Sequence, residues 1–198
     1  KTLLLTIVVV VVPSLIGQDH LYHTKIFAEV WKTTALNARR GILSIALSAV
    51  DLALWDLVGK ALQAPVYQLL GAFTDQVPCY ASAGLYGKGK DEKALAEEMQ
   101  AYVAQGFRDV KMKVGGVSLE EDVKRVKAVR DGVGPNARLM VDANYTLNVP
   151  KSLKMAQAFE PHEIYWLEAP VSPDDVSGQA KVNALSPIPV CGNETETG

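Results

Sequence analysis

The chain has 198 residues, enough for one large domain or two small ones, and its 48% apolar content supplies a core and argues against disorder. A net charge of −2, with the 20 basic residues scattered, argues against a nucleic-acid surface. The two cysteines, Cys79 and Cys191, lie far apart in predicted strands; with no disulfide framework or zinc spacing, a reducing cytosol is the expected compartment.

The first 75 residues read as mostly helical. Leu3 to Val12 is almost wholly apolar and follows Lys1, which mimics a signal peptide. Pro13, Ser14 and Leu15 make no small-residue cleavage site and the run is too short to span a bilayer, so a buried strand or helix is expected, with a signal peptide as the alternative. His20 to Lys32 carries a modest amphipathic stripe through Leu21, Ile26, Phe27 and Val30. Ile42 to Gly59 is apolar around most of its circumference, from Ile45 and Leu47 to Trp55 and Val58. It is interrupted by Asp51 and Asp56, so a core helix covered on nearly every side is expected rather than a membrane span. Pro65 to Leu70 is a short helix stopped by Gly71.

At Val77 the pattern changes to strand then helix, repeated. The expected strands are Val77 to Ala83, Phe107 to Val114, Arg138 to Val141, Ile164 to Leu167 and Ile188 to Cys191. The helices between them are Glu92 to Gln105, Ser118 to Arg130, Pro150 to Phe159 and Asp174 to Leu185; the second opens on a capping box, Ser118 with Glu121. Such alternation means an α/β fold with a parallel sheet. The doubly wound alternative usually shows a glycine-rich phosphate turn after its first strand, whereas here Gly84-Leu85-Tyr86-Gly87 follows.

Three carboxylates recur just after the apolar runs: Asp142 in Leu-Met-Val-Asp-Ala-Asn, Glu168 in Tyr-Trp-Leu-Glu-Ala-Pro, and Glu194 in Pro-Val-Cys-Gly-Asn-Glu, at intervals of 26 residues. A period of that size suits one strand plus one helix, and the strand carrying Lys111 and Lys113 lies one unit upstream. In a parallel barrel the C-terminal strand ends gather on one face, where active sites lie. Three acids converging there repel one another, and a hard divalent cation removes that penalty; oxygen-only ligation suits Mg2+ or Mn2+. Lys111 and Lys113, two apart on a strand, share a face, and two close ammonium groups oppose each other's protonation, which favours one of them as a base. Surface lysines on an edge strand, and acids that cap helices or pair with lysines, are the simpler readings of each feature alone. Together the residues describe removal of the proton beside a substrate carboxylate, with the cation holding the enediolate that results.

These segments resemble the mandelate racemase and muconate lactonizing enzyme family of the enolase superfamily. The resemblance rests on Ala46 to Asp56 (Ala-Leu-Ser-Ala-Val-Asp-Leu-Ala-Leu-Trp-Asp), Val110 to Gly115, Val141 to Asn144, Trp166 to Pro170, and Ile188 to Val190 through Glu194. It implies a (β/α)8 TIM-type barrel, of which about five strands are present in residues 76–198, preceded in residues 1–75 by the mostly helical part of an α+β capping domain. It implies Asp142, Glu168 and Glu194 as metal ligands, Lys113 as base, Lys111 beside it polarising the substrate carboxylate, and Asn144 as a supporting polar group. It also implies a small carboxylic-acid substrate, no nucleic-acid or membrane partner, and a homo-oligomer.

Three departures stand out. Five strands fall short of a closed barrel, which takes ~250 residues, so the chain is expected to be part of a longer protein. The strands and specificity loop of the capping domain are missing from the start. Asn193 stands where a glycine commonly precedes the ligand glutamate. A sugar-acid dehydratase or racemase is the favoured activity. A cycloisomerase or dipeptide epimerase uses the same half-site, and the residues on the sixth and seventh strands would separate them. An inactive metal-binding paralogue and an aldolase-like barrel with a Schiff base on Lys113 are the competing classes.

Overall fold

The structure, a computed structural model, describes Leu5 and residues 7–38 and 41–192. It divides into two compact units, residues 1–77 and residues 78–198.

In the first unit the apolar N-terminal run forms a π-helical turn, Ile7–Val11, continued by helix α1, Val12–Leu15. Val11 is buried, but Leu5 and Val9 are exposed, so the expected burial holds for only part of the run. A 3-10 turn, His20–Tyr22, leads into α2, His23–Ala38. Helix α3, Ile42–Leu62, ends with Gln63 in the left-handed conformation, and Pro65 caps the short α4, Val66–Leu69. A small core joins Val11, Ile26, Val30, Leu47 and Leu54. The expectation that α3 is covered on nearly every side is not met. Ala46, Leu47, Leu54, Val58 and Gly59 are buried, whereas Ile45 is 56% and Leu52 71% exposed. The helix is long and apolar enough by composition to cross a membrane. Its neighbours in the unit cover one side only.

The second unit is a parallel sheet of five strands in chain order, β1 Ala81–Ser82, β2 Asp109–Lys113, β3 Arg138–Asp142, β4 Ile164–Glu168 and β5 Val190–Cys191. Between them run α5 Glu92–Ala104, α6 Leu119–Val133, α7 Val149–Phe159 and α8 Val176–Leu185. Each helix start is fixed by a side chain that accepts a backbone N–H: Asp91, Ser118, Asn148 and Asp175. Ser118 and Glu121 form the full capping box.

Alternation along the strands sorts the two faces. Val110 and Met112 of β2, with Leu139 and Val141 of β3, pack against Met99, Val126, Val129 and Phe159 of the helices in one continuous core. The polar residues Lys111, Lys113 and Asp142 fall on the other face. In β4 the spacing changes: Leu139 pairs with Ile164, but Val141 pairs with Leu167, so one extra residue is accommodated. Without that irregularity Glu168 would not be level with Asp142.

The first strand is shorter than expected, and Val77 to Tyr80, including the exposed Cys79, lies outside it. Past its far end the chain still hugs β2: the Gly84 carbonyl accepts the Lys113 N–H at 3.4 Å, and Gly84, at φ +62°, sits so close that a Cβ there would come 2.5 Å from Met112 Cβ. At the opposite end of the sheet Arg138 grips Asp109 through two bonds of 2.5 and 2.6 Å, pinning the starts of β2 and β3.

Candidate active site

Register assembles the site. Lys113 pairs with Asp142, Asp142 with Glu168, and Glu168 with Cys191, so these residues form one row across the C-terminal ends of β2 to β5. Level residues of parallel neighbours face the same way, with strands ~4.8 Å apart, and side chains in such a row converge. Lys111 lies one step lower, level with Ser82 and Met140.

The charges interlock. Lys111 Nζ donates to Glu168 Oε1 at 2.6 Å and lies 3.7 Å from Asp142 Oδ2. Lys113 Nζ donates to Asp142 Oδ2 at 2.5 Å and to Asn144 Oδ1. Asp142 Oδ1 accepts the backbone N–H of Asn144 at 2.9 Å, and Trp166 Nε1 donates to Glu168 Oε2 at 3.1 Å. The side chains of Lys111 and Asp142 are only 8% and 6% exposed, whereas that of Lys113 is 26% exposed. Lys111 is therefore enclosed among the acids, and Lys113 stands at the rim.

Burial lowers the pKa of Lys111, but its hydrogen bonds to Glu168 and Tyr80 and the charge of Glu168 outweigh that and hold it above the ordinary lysine value. This corrects the expectation of mutual depression for Lys111: each ammonium is answered by a carboxylate before it meets the other. Burial, reinforced by the charge of Glu168, pushes the neighbouring Cys191 thiol up, so it stays protonated.

The backbone around the site is unusual. Asn144 (φ +49°), Tyr145 (φ +65°) and Ala169 (φ +46°) all occupy the left-handed region directly after β3 and β4. Non-glycine residues there carry strain, and such strain gathers at functional sites. A cavity of about 540 Å³ opens above the row, bounded by Tyr80, Ser82, Trp166 and Cys191 around the charged groups.

Five of the six singled-out residues, Lys111, Lys113, Asp142, Asn144 and Glu168, thus meet at one place. Glu194 lies outside the described residues. Among the described residues no group of three or more His, Cys, Asp or Glu is placed to hold a metal. The donor set nonetheless suits a hard cation. Two buried carboxylates from adjacent strands flank a single positive atom, Lys111 Nζ, and every donor they offer is oxygen. Sequence reasoning missed Tyr80 and the hydrogen-bonding role of Trp166. Tyr80 accepts from Lys111 Nζ at 3.3 Å and meets the Trp166 ring edge-on at 5.8 Å. The two-residue spacing of Trp166 and Glu168 was the available signal; Tyr80 lies before its strand and gave none.

Residues 2–71 match the family described as "Mandelate racemase / muconate lactonizing enzyme, N-terminal domain", and residues 94–198 match "Enolase C-terminal domain-like". An arabinonate dehydratase of Saccharolobus solfataricus is 35% identical over 190 residues, 96% of this chain and 51% of the relative. A D-galactarolactone cycloisomerase of Agrobacterium fabrum is 37% identical over 186 residues, 93% of this chain and 49% of the relative. The crystal structure of a racemase from Streptomyces coelicolor A3(2) with bound magnesium superposes with a TM-score of 0.87 at 35% identity, covering 98% of this chain and 57% of that one. The chain spans about half the length of the curated relatives it matches. Both domain matches and the level row of lysine and carboxylates agree: the chain belongs to the mandelate racemase and muconate lactonizing enzyme family of the enolase superfamily.

Proposed function

We propose that this protein is a Mg2+-dependent enzyme that removes the proton α to a carboxylate, with Lys113 as the base and Asp142, Glu168 and Glu194 as metal ligands. The observation that carries the proposal is the row of Lys113, Asp142 and Glu168, level on three adjacent strands, with two buried carboxylates around one positive centre. A bound Mg2+ would supply Lewis acidity toward the substrate carboxylate; Mn2+ meets the same donors. The magnesium in the related racemase structure supports that choice.

The chain's own groups divide the remaining work. Lys113 stands at the rim, where its amine can meet a proton on a substrate carbon. Asn144 and Asp142 fix its direction. Lys111 is enclosed and paired, which suits it to hold a substrate carboxylate by charge rather than to exchange protons. Tyr80 and Trp166 wall one side of the Lys111–Glu168 pair and hold it by hydrogen bonds.

Residues 1–75 we assign to the capping domain and residues 76–198 to the N-terminal part of the barrel. The dehydratase and cycloisomerase relatives support an acid sugar as substrate, with loss of the β-hydroxyl after proton removal as the favoured outcome. Two free cysteines fit a reducing cytosol, and the family reading brings a homo-oligomer with it.

The test is exchange of the α-proton of arabinonate and galactarate in D2O with Mg2+, followed by NMR on the full protein. Wild type exchanges it. Lys113→Ala abolishes exchange while Mg2+ still binds. Exchange retained in Lys113→Ala removes Lys113 as sole base.

A further inference from the structure

Behind β2, on the face away from the cavity, a second polar cluster has no part in the proposed chemistry. Asp122, fully buried in the first turn of α6, accepts three bonds: from Tyr86 Oη at 2.8 Å, from Arg125 Nη1 at 2.7 Å and from the backbone N–H of Gly115 at 2.6 Å. The Tyr86 hydroxyl accepts in turn the N–H of Gly116 at 2.9 Å. The guanidinium of Arg125 lies 3.9 Å from the Tyr86 ring centre, so it is fixed by an ion pair on one side and an aromatic face on the other. A charged group so thoroughly held acts on whatever it is aimed at. Arg125 is aimed at main chain: Nη1 donates to the carbonyl of Lys113 at 3.0 Å, and Nη2 to the carbonyl of Gly84 at 3.3 Å.

The need for that donor follows from the short first strand. Two residues earlier, the carbonyl of Lys111 is satisfied within the sheet by the N–H of Ala83 at 2.9 Å. At the next step the Lys113 N–H still reaches the Gly84 carbonyl at 3.4 Å, but among the described residues no β1 donor meets the Lys113 carbonyl, and the guanidinium of Arg125 stands in that place. We propose that Arg125, clamped by Asp122 and Tyr86, is a positioning residue for Lys113: it closes the ladder that β1 leaves open and so fixes the backbone from which the Lys113 amine is aimed. Burial pushes the Tyr86 hydroxyl up to about 12, so it stays a protonated donor to Asp122 throughout the working range.

The proposal's mechanistic meaning rests on Lys113 being the base, but its test does not. The probe is trace acetic anhydride at fixed pH in the full protein, with acetylation of Lys111 and Lys113 read separately by peptide mass spectrometry. Lys111 keeps its sheet partner in every variant and is the internal control. In Arg125→Ala the freed Lys113 is acetylated about tenfold faster, while Lys111 changes less than about twofold; Arg125→Lys lies between. Added methylguanidinium returns Arg125→Ala toward wild type. Equal acceleration of both lysines marks a merely structural role and overturns the proposal, as does an unchanged Lys113. Should Arg125→Ala fail to fold, Tyr86→Phe, which leaves the guanidinium but removes one clamp, must give the same Lys113-selective change in smaller measure; no selectivity there overturns the proposal equally. Exchange retained in Lys113→Ala would sink the catalytic reading alone.

Discussion

Lys111 carries more of the site's electrostatics than its neighbour. Among the described residues it is the one cation in reach of both Asp142 and Glu168, and Glu168 has only Lys111 and the Trp166 N–H as side-chain partners there. Buried ion pairs contribute little net stability when intact, yet breaking one leaves an uncompensated charge. Lys111→Met therefore destabilises the metal-free protein by about 3–5 kcal/mol in urea unfolding followed by circular dichroism. Millimolar Mg2+ recovers part of that loss, because a cation bound only to the folded state stabilises it by mass action. An unchanged midpoint in EDTA, or a loss indifferent to Mg2+, contradicts the assignment of Asp142 and Glu168 as a shared cation site. The side-chain chemistry of this row was legible in the sequence, since charge after an apolar run, repeated at strand-plus-helix spacing, has few other causes. The clamp was not. Asp122 and Arg125, three apart on a helix, look like any solvated ion pair, and only the bond to the Lys113 carbonyl reveals why α6 sends a guanidinium to the sheet.

Among the secondary-structure elements, β1 is the informative one. The residues from Val77 to Ala83 read as a strand, but only Ala81–Ser82 forms one; the Ala83 N–H and the Gly84 carbonyl carry the bonds to β2 a step further, where Gly84 at φ +62° presses against Met112. The contact is testable with an internal comparison. Gly134 also has a positive φ, +77°, but a Cβ there meets nothing within 4 Å. Gly134→Ala carries backbone strain alone, about 1–3 kcal/mol, whereas Gly84→Ala adds a collision with buried Met112 that costs about 1–3 kcal/mol more. Equal losses for the two in chemical denaturation would show that Met112 yields, and that the close approach is not enforced by packing. Helix starts, by contrast, were readable to within a residue or two, because each cap is a local interaction between a side chain and the next turn; Ser118 with Glu121 is the clearest. Helix α3 was misread for the opposite reason. Its apolar residues run around most of the circumference, but which of them are covered depends on what lies beside it, and Leu52 remains 71% exposed.

Across the chain, α/β alternation followed from the sequence, and the sequential strand order followed once the missing glycine-rich phosphate turn set aside the doubly wound alternative. The irregularity in β4 did not follow, although it brings Glu168 level with Asp142; one extra residue in an apolar run leaves no mark on composition. The consequence is a site whose parts come from consecutive strands and which is complete only when their ends lie level. The most direct measurement is Mn2+ binding to the full protein by electron paramagnetic resonance, for wild type and for Asp142→Asn, Glu168→Gln and Glu194→Gln. Wild type binds one ion per chain, and each substitution weakens it by roughly tenfold or more while circular dichroism stays unchanged. Unaltered Mn2+ affinity in all three variants would contradict a shared cation among these acids, and with it the proposed enzyme.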